Sequence, residues 1–329
     1  MTAAAHPNLD DERLVAAARR GDERAFVELT SPHRSALHAH CYRLLGSLHD
    51  ADDALQEALL RAWRAIGGFE PRAPVRAWLY RIATNVCLRM LKQRARRDAA
   101  CIDAHLQPYP EPVAPAASEP TVTVESEEAI GLAFVAAMQL LPPKQRVVLV
   151  LRDVLDWSAR EVAQFLDDSV AAVNSALQRA RERMAREHDE GSLARAHRPA
   201  SIHAEARVMQ RFQDAWKAVD IDAILALLAD DALLTMPPEG MRFEGATAIA
   251  GFFATVPLDG RLDRIRLVAA RANGQPAMAA YARNATTGEH EAYGVMVFAI
   301  DGERIAGITG FARQPALFPR FGLSVATGR

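Results

Sequence analysis

Hydrogen-bonding side chains are concentrated near the middle of the chain, in a polar stretch at residues 169–181 with helical spacing. Amide and guanidinium groups supply the donors and acceptors that base edges and phosphates require. Small side chains between them would let a helix approach a DNA groove closely. The candidate DNA-reading residues are Ser169, Ala171, Ala172, Asn174, Ser175, Gln178, Arg179 and Arg181. The pattern predicts that this stretch binds DNA.

The elements around this stretch predict a helix-turn-helix. Ser158 and Glu161 have the spacing of a capping box, which starts a helix. A break at Asp167–Asp168 ends that helix, and Ser169 can cap the next one. Two short helices, the second polar and basic, are typical of a DNA-reading unit. The alternative is an ordinary helical hairpin, and the combined signals favour DNA binding.

A second cluster combines aromatic and basic side chains along a long helix predicted over about 75–97. Its residues are Arg72, just before the helix, and Arg76, Trp78, Tyr80, Arg81, Asn85, Arg89 and Lys92. One interpretation is a nucleic-acid surface, because cations suit phosphates and aromatic rings stack on exposed bases. The other is a core stripe beside a solvated basic face. The residues alone leave both interpretations open.

A third cluster is acidic and lies at the start of the helix predicted from Asp50 to the Gly67–Gly68 pair. Its polar residues are Asp50, Asp52, Asp53, Gln56 and Glu57. Negative charge at a helix start is favourable against the helix macrodipole, and that alone explains the cluster. A docking face for a basic partner is the alternative.

Composition limits the class of protein. The chain has 329 residues, half of them apolar, which is enough for two or three domains. The net charge of −2 hides an acidic connector, since residues 98–130 contain seven Asp or Glu and no Lys or Arg. Five prolines between 108 and 120 predict an extended linker over 98–125. Scattered cysteines, no signal peptide and no membrane span predict a cytoplasmic protein.

Residues 201–329 differ from the rest. Helical patterns come first, and strand-like runs follow, with turns at Gly274 and at Asp301–Gly302. This order favours an α+β cone with a curved sheet.

The first and third blocks, in this order, resemble a bacterial RNA polymerase sigma factor of the extracytoplasmic-function (ECF) group. The resemblance rests on DADDALQEALLRAWRAI, FEPRAPVRAWLYRIATNVCLRMLKQRARR and LPPKQRVVLVLRDVLDWSAREVAQFLDDSVAAVNSALQRARERM. The last block resembles the SnoaL-like polyketide-cyclase superfamily, most clearly over 222–232. The implied fold class is multidomain: two all-α helical domains, sigma region 2 and the region 4 helix-turn-helix, followed by an α+β SnoaL-like cone.

The resemblance also implies the bounds and the function of each segment. It gives region 2 over 1–97, the linker over 98–125, region 4 over 126–190 and a SnoaL-like regulatory domain over 201–329. The acidic cluster would dock on the β′ clamp helices of core RNA polymerase, and the β flap would be a second contact. The aromatic and basic cluster would bind the −10 element of promoter DNA, and the stretch from Ser169 to Arg181 the −35 element. The C-terminal domain is expected to contact the sigma domains.

No catalytic residue, metal or cofactor is expected, because the polymerase performs the phosphoryl transfer. By the superfamily resemblance, Asp230 and Asp231 would cap a helix end rather than act as acid or base. Two other function classes are alternatives to a sigma factor. A SnoaL-like isomerase or cyclase fused to a DNA-targeting region would need a paired acid–base constellation. A helix-turn-helix repressor would bind duplex DNA tightly without polymerase.

Overall fold

The computed structural model describes residues 9–69, 74–97, 106–111, 131–189 and 201–327. The chain divides into two compact units. The first unit consists of residues 1–101 and 138–183, and the second of residues 102–137 and 184–329.

Five helices form the N-terminal part of the first unit. They are α1 (Leu9–Arg19), α2 (Glu23–Thr30), α3 (Arg34–Leu45), α4 (Leu48–Ala65) and α5 (Val75–Arg97). Short 3₁₀ turns at Ser31–His33 and Ile66–Gly68 follow α2 and α4. Helices α3, α4 and α5 pack against one another, and the apolar stripe of α4 faces this core as predicted.

Four further helices follow along the chain: α6 (Leu132–Gln139), α7 (Pro143–Leu149), α8 (Ala159–Leu166) and α9 (Val170–Asp189). A π-helical turn at Val150–Val154 extends α7. Pro142 and Pro143 lie at the start of α7, where the amide hydrogen that proline lacks would have no partner within the helix. Helix α7 packs against α5 within the first unit.

The main body of the second unit starts with two helices, α10 (Ile202–Ala218) and α11 (Ile221–Leu227). A third helix, α12 (Ala246–Thr255), follows the second strand along the chain and precedes the third. The strands are β1 (Leu228–Met236), β2 (Met241–Glu244), β3 (Ile265–Ala272), β4 (Gln275–Arg283), β5 (His290–Asp301), β6 (Arg304–Ala312) and β7 (Ala326–Thr327). They form one sheet in the order β2-β1-β6-β5-β4-β3, with β7 paired to β5. All pairs are antiparallel except β1 with β6.

Aromatic side chains fill the space between the helices and the sheet. Phe212 of α10 contacts Phe298 of β5 at a ring-centroid distance of 5.0 Å and Phe253 of α12 at 6.2 Å. The indole nitrogen of Trp216 donates a hydrogen bond to the Ile265 carbonyl at 3.1 Å. This arrangement confirms the expected α+β class.

One local prediction in this unit is wrong. Asp230 and Asp231 do not cap a helix, because α11 ends at Leu227 and both aspartates lie within β1. The strand starts early because Leu228 already pairs with Ile305 of β6. Asp230 is exposed and forms an ion pair with Arg304 at 3.0 Å.

Phe212→Ala should destabilise the second unit by about 3–5 kcal/mol, since it removes a fully buried ring from the aromatic core. Amide hydrogen exchange of the β5 strand in the full-length chain measures the effect. Ile202→Ala, in the same helix but at a residue that is 68% exposed, is the matched control and should change stability by less than about 0.5 kcal/mol. Equal protection of β5 in both variants would contradict the assignment of this core.

Candidate nucleic-acid interface

The helix-turn-helix predicted from the sequence is formed by α8 and α9. The Ser158 hydroxyl accepts a hydrogen bond from the Glu161 amide at 3.2 Å, and Glu161 Oε2 accepts one from the Ser158 amide at 2.6 Å. These bonds hold the pKa of Glu161 below its usual range. Asp167 ends α8 in the left-handed conformation, with φ of 53°. The predicted capping box and break are therefore confirmed.

Helix α9 separates a buried face from an exposed face. Val173, Ala176, Leu177 and Ala180 are buried. The opposite face carries the exposed candidates Ala171, Asn174, Ser175 and Gln178, at helical spacing. A row of small, amide and hydroxyl side chains on a solvent-facing helix matches the donor and acceptor pattern of base edges.

Local hydrogen bonds orient several of these side chains. Ser169 caps α9, since its hydroxyl accepts from the Ala172 amide at 3.1 Å. Arg179 donates to the Ser175 hydroxyl at 2.6 Å. Gln178 donates to Glu182 at 2.9 Å. Glu182 is not among the residues predicted from the sequence, although its i+4 spacing from Gln178 is a usable signal.

Arg181 lies at the edge of the exposed face and is held differently. Its guanidinium makes a bidentate contact with Asp153, at 2.9 and 2.7 Å, from the π-helical turn. This partner raises the pKa of Arg181 above its ordinary value. Asp153 thus fixes the position of Arg181, and no local sequence signal identified that pair.

Helix α5 presents a second polar face. Arg81, Asn85, Arg89 and Lys92 are all exposed and follow one another at four-, four- and three-residue steps. Trp78 is half-buried on the same side and packs on Phe69 at 4.8 Å between ring centroids. This face combines cations, an amide and an aromatic edge, as a surface for phosphates and exposed bases requires.

Tyr80 and Arg76 of this cluster differ from the exposed row in their contacts. Tyr80 is 1% exposed, and its ring packs against His40 at 4.9 Å, so the prediction that it contacts DNA is wrong in this structure. It occupies the core because residues 79, 80 and 83 share the buried face of α5. Arg76 is exposed, with its guanidinium 5.5 Å from the Tyr80 ring centre. Arg72 lies outside the described residues.

The acidic cluster on α4 is partly neutralised by cations of the same unit. Glu57 accepts from Arg61 at 2.7 Å and from Arg89 at 3.3 Å, and hydrogen bonding to Arg61 lowers the pKa of Glu57. Asp50 is paired with Arg94.

The three other polar positions of this cluster differ in exposure. Asp52 lies 3.1 Å from His38, and Asp53 lies 3.8 Å from His49. Gln56 and Asp53 are exposed, whereas Asp52 is half-buried. Asp53 and Gln56 therefore form the outer part of the cluster, and Glu57 is half-buried like Asp52.

None of the helices in the described part of the chain is long and apolar enough to cross a membrane. Within these same ranges, His, Cys, Asp and Glu side chains do not form a group of three or more that could hold a metal ion.

Three family models match the chain in order. They are Sigma-70 region 2 at residues 29–97, Sigma-70 region 4 at residues 131–184 and a SnoaL-like domain at residues 209–308. The matches contain α5, the helix-turn-helix and most of the sheet, respectively.

Individual relatives agree with these matches. The ECF RNA polymerase sigma factor SigG of Mycobacterium tuberculosis is 39% identical over 94% of this chain and 86% of its own length. SigM of the same species is 38% identical over 54% of this chain and 83% of its own length. The crystal structure of M. tuberculosis SigJ has the same fold, with a TM-score of 0.64, 24% identity and coverage of 91% of this chain and 100% of that chain. The chain therefore belongs to the ECF group of RNA polymerase sigma factors and carries a C-terminal SnoaL-like domain.

Proposed function

We propose that this sigma factor reads two promoter elements with the two polar faces described above while it is bound to core RNA polymerase. The observation that carries the proposal is the pair of exposed DNA-compatible surfaces, on α5 and on α9, in one chain. The α9 face would enter the major groove of the −35 element. The α5 face, from Arg76 to Lys92 but without Tyr80, would hold the −10 element, where opened bases need stacking partners and cations.

The outer part of the acidic cluster is the proposed docking site for the β′ clamp helices. Asp53 and Gln56 offer an exposed polar helix face, and the half-buried Glu57 beside them is paired with Arg61 and Arg89. Rim charges such as Asp53 mainly raise association rates. Asp50 is better explained as a structural residue, because it is occupied by Arg94. The β flap remains a proposed second contact. Both partners imply that the protein works in the cytoplasm.

The α9 assignment predicts a change in −35 sequence preference for Asn174→Ala, Gln178→Ala and Arg179→Ala. Each lost base contact should cost about 1–3 kcal/mol of discrimination. The measurement is transcription by core polymerase with each variant on a library of −35 sequences. Arg181→Ala is the contrasting variant: because Asp153 holds Arg181 at the flank, its loss should weaken all sequences alike. An unchanged −35 preference in the first three variants would refute the groove assignment.

The C-terminal domain holds part of the linker through backbone pairing. The Tyr109 amide donates to Asn273 Oδ1 at 2.7 Å, and the Asn273 amide donates back to the Tyr109 carbonyl at 2.9 Å. The Glu111 amide donates to the Arg271 carbonyl at 3.1 Å. The linker residues 109–111 thus pair along the edge strand β3 near its turn.

Side chains reinforce this contact. Glu111 accepts hydrogen bonds from the Gly274 amide and, at 3.4 Å, from Arg271. Arg271 also reaches Glu205 of α10 at 3.2 Å. The amide of Leu132, at the start of α6, donates to the Gln275 side chain at 2.8 Å. The expected contact between the C-terminal domain and the sigma segment therefore involves the linker and the first residue of α6.

We propose that the SnoaL-like domain modulates sigma activity by restraining this linker, and that it catalyses no reaction. Among residues 201–327, the buried side chains with a hydrogen-bonding group are Trp216, Asn273 and Tyr281. Trp216 and Tyr281 donate to backbone carbonyls, and Asn273 is engaged with the linker. The residues facing the core of the cone are apolar or aromatic. An isomerase or cyclase would need an acid and a base in this place, so the enzyme alternative is not favoured.

Asn273→Gly tests the restraint. Glycine keeps the positive φ of 56° at this position but removes the acceptor for the Tyr109 amide. The Tyr109 amide should exchange about 2- to 10-fold faster, as expected for one lost hydrogen bond, and promoter-specific transcription with core polymerase should rise. Asn284→Gly, at the exposed turn after β4, is the control and should change neither. Faster exchange at Tyr109 with unaltered transcription would show that the contact has no regulatory role.

A further inference from the structure

A carboxylate lies on the exposed face of α9 that is proposed to enter the −35 groove. This face includes Ala171, Asn174, Gln178 and Glu182, which are all exposed and follow one another at steps of three, four and four residues. A negative charge on a helix that approaches phosphates opposes binding, because like charges repel each other. Glu182 therefore weakens DNA binding unless it contributes through another group.

The neighbour of Glu182 on this face is Gln178. The amide nitrogen of Gln178 donates a hydrogen bond to Glu182 Oε1 at 2.9 Å, across one helical turn. An ionised carboxylate only accepts hydrogen bonds, so it attracts the NH₂ group of an amide and repels the amide oxygen. Glu182 thereby determines which way round the Gln178 amide stands.

This orientation leaves a defined set of groups for a base. A glutamine amide has two N–H donors and one carbonyl acceptor, and Glu182 takes one of the donors of Gln178. One N–H and the carbonyl oxygen remain. The major-groove edge of adenine offers an N6 donor and an N7 acceptor, which match these two groups. Guanine offers two acceptors, N7 and O6, so its edge would face the carbonyl oxygen with a second acceptor.

The two arginines next to Gln178 on α9 are held by other acceptors. Arg179 donates to the Ser175 hydroxyl at 2.6 Å, and Arg181 makes its bidentate contact with Asp153. Holding these arginines in place therefore does not account for Glu182.

The position of Glu182 along α9 favours an indirect role. In a helix-turn-helix, the N-terminal residues of the recognition helix contact base edges. Glu182 lies about 6 Å further from the start of α9 than Gln178, at about 1.5 Å per residue. It is therefore better placed to act through Gln178 than to contact a base itself.

We infer that Glu182 is a positioning residue for base reading, which holds the Gln178 amide in the orientation that selects adenine over guanine in the −35 element. Contact with DNA excludes water from the pair and strengthens its hydrogen bond. The inference rests on the proposed placement of α9 in the −35 groove, and it adds a determinant of sequence preference that does not itself touch DNA.

The test is transcription by core polymerase with full-length variants on a library of −35 sequences. The base position that Gln178 reads is the one at which Gln178→Ala alters the preference. There the wild type should prefer adenine over guanine by about tenfold. Glu182→Gln should reduce this ratio to about twofold or less, because an amide at position 182 can accept from or donate to Gln178 and so permits both orientations.

Asp156→Asn is the matched control. It also replaces an exposed carboxylate by its amide, in the segment before α8, and Asn tolerates the φ of 53° at this position. Both substitutions remove one negative charge from region 4. The control should keep the preference of the wild type for adenine.

The double variant Gln178→Ala/Glu182→Gln separates positioning from direct contact. If Glu182 acts through Gln178, the double variant has the same base preference as Gln178→Ala alone. A further change in the double variant, or a change at another base position in Glu182→Gln, would show that Glu182 contacts DNA itself and would overturn the inference.

Three other results decide against the inference. An adenine preference that survives Glu182→Gln, or a wild type that prefers guanine at this position, would contradict it while leaving α9 in the groove. A uniform loss of transcription on all sequences in Glu182→Gln would contradict it too, since a positioning residue changes the ratio between bases. An unaltered −35 preference in Gln178→Ala would refute both the groove placement and the inference that rests on it.

Discussion

A charged group removed from water must find compensating partners, and this constraint is most severe at Arg146. Burial, together with the smaller effect of the nearby charge of Arg94, lowers the pKa of this arginine to about 9. Neutral carbonyl and amide oxygens from three segments provide its hydrogen bonds. Removing one partner of a buried charge is strongly destabilising, whereas releasing the whole contact into water restores hydration. Such a contact holds one arrangement firmly and can still be exchanged for another.

The exposed polar faces of α5 and α9 follow the opposite rule, because their polar groups stay in water and are oriented by partners within the same unit. A capping box starts α8, Ser169 caps α9, and Asp153 fixes Arg181 at the edge of the exposed face. The exposed face of α5 likewise stands on a core that contains Tyr80 and His40. Burial lowers the pKa of His40 to about 3, so its ring is neutral in that core. In both helices, a buried apolar side supports a polar side that is exposed to water, as the proposed binding of DNA requires.

Sequence patterns within a few residues predicted many of the helices and turns, whereas hydrogen bonds between residues far apart in the chain were not predicted. The capping box at Ser158, the stripe of α4 and the turns at Gly274 and Gly302 all depend on residues a few positions apart, and they appear as predicted. The bond from Tyr109 to Asn273 joins residues 164 positions apart, and Arg146 reaches Leu44 across 102 positions. An arginine in a helical pattern predicts a solvated side chain, so nothing local marks Arg146 as buried. Tyr80 shows the opposite case: its ring is suited to stacking on bases, but it is buried in the core.

We propose that the two polar faces act together on one promoter, and only when the protein is bound to polymerase. The most direct test is reconstituted transcription from genomic DNA fragments by core polymerase, with and without this protein, followed by mapping of the transcript starts. We predict transcript starts that need both components and share two separate upstream sequence elements, each matched to one face. Tight sequence-specific binding to duplex DNA without polymerase, together with no transcript from any bound fragment, would contradict it.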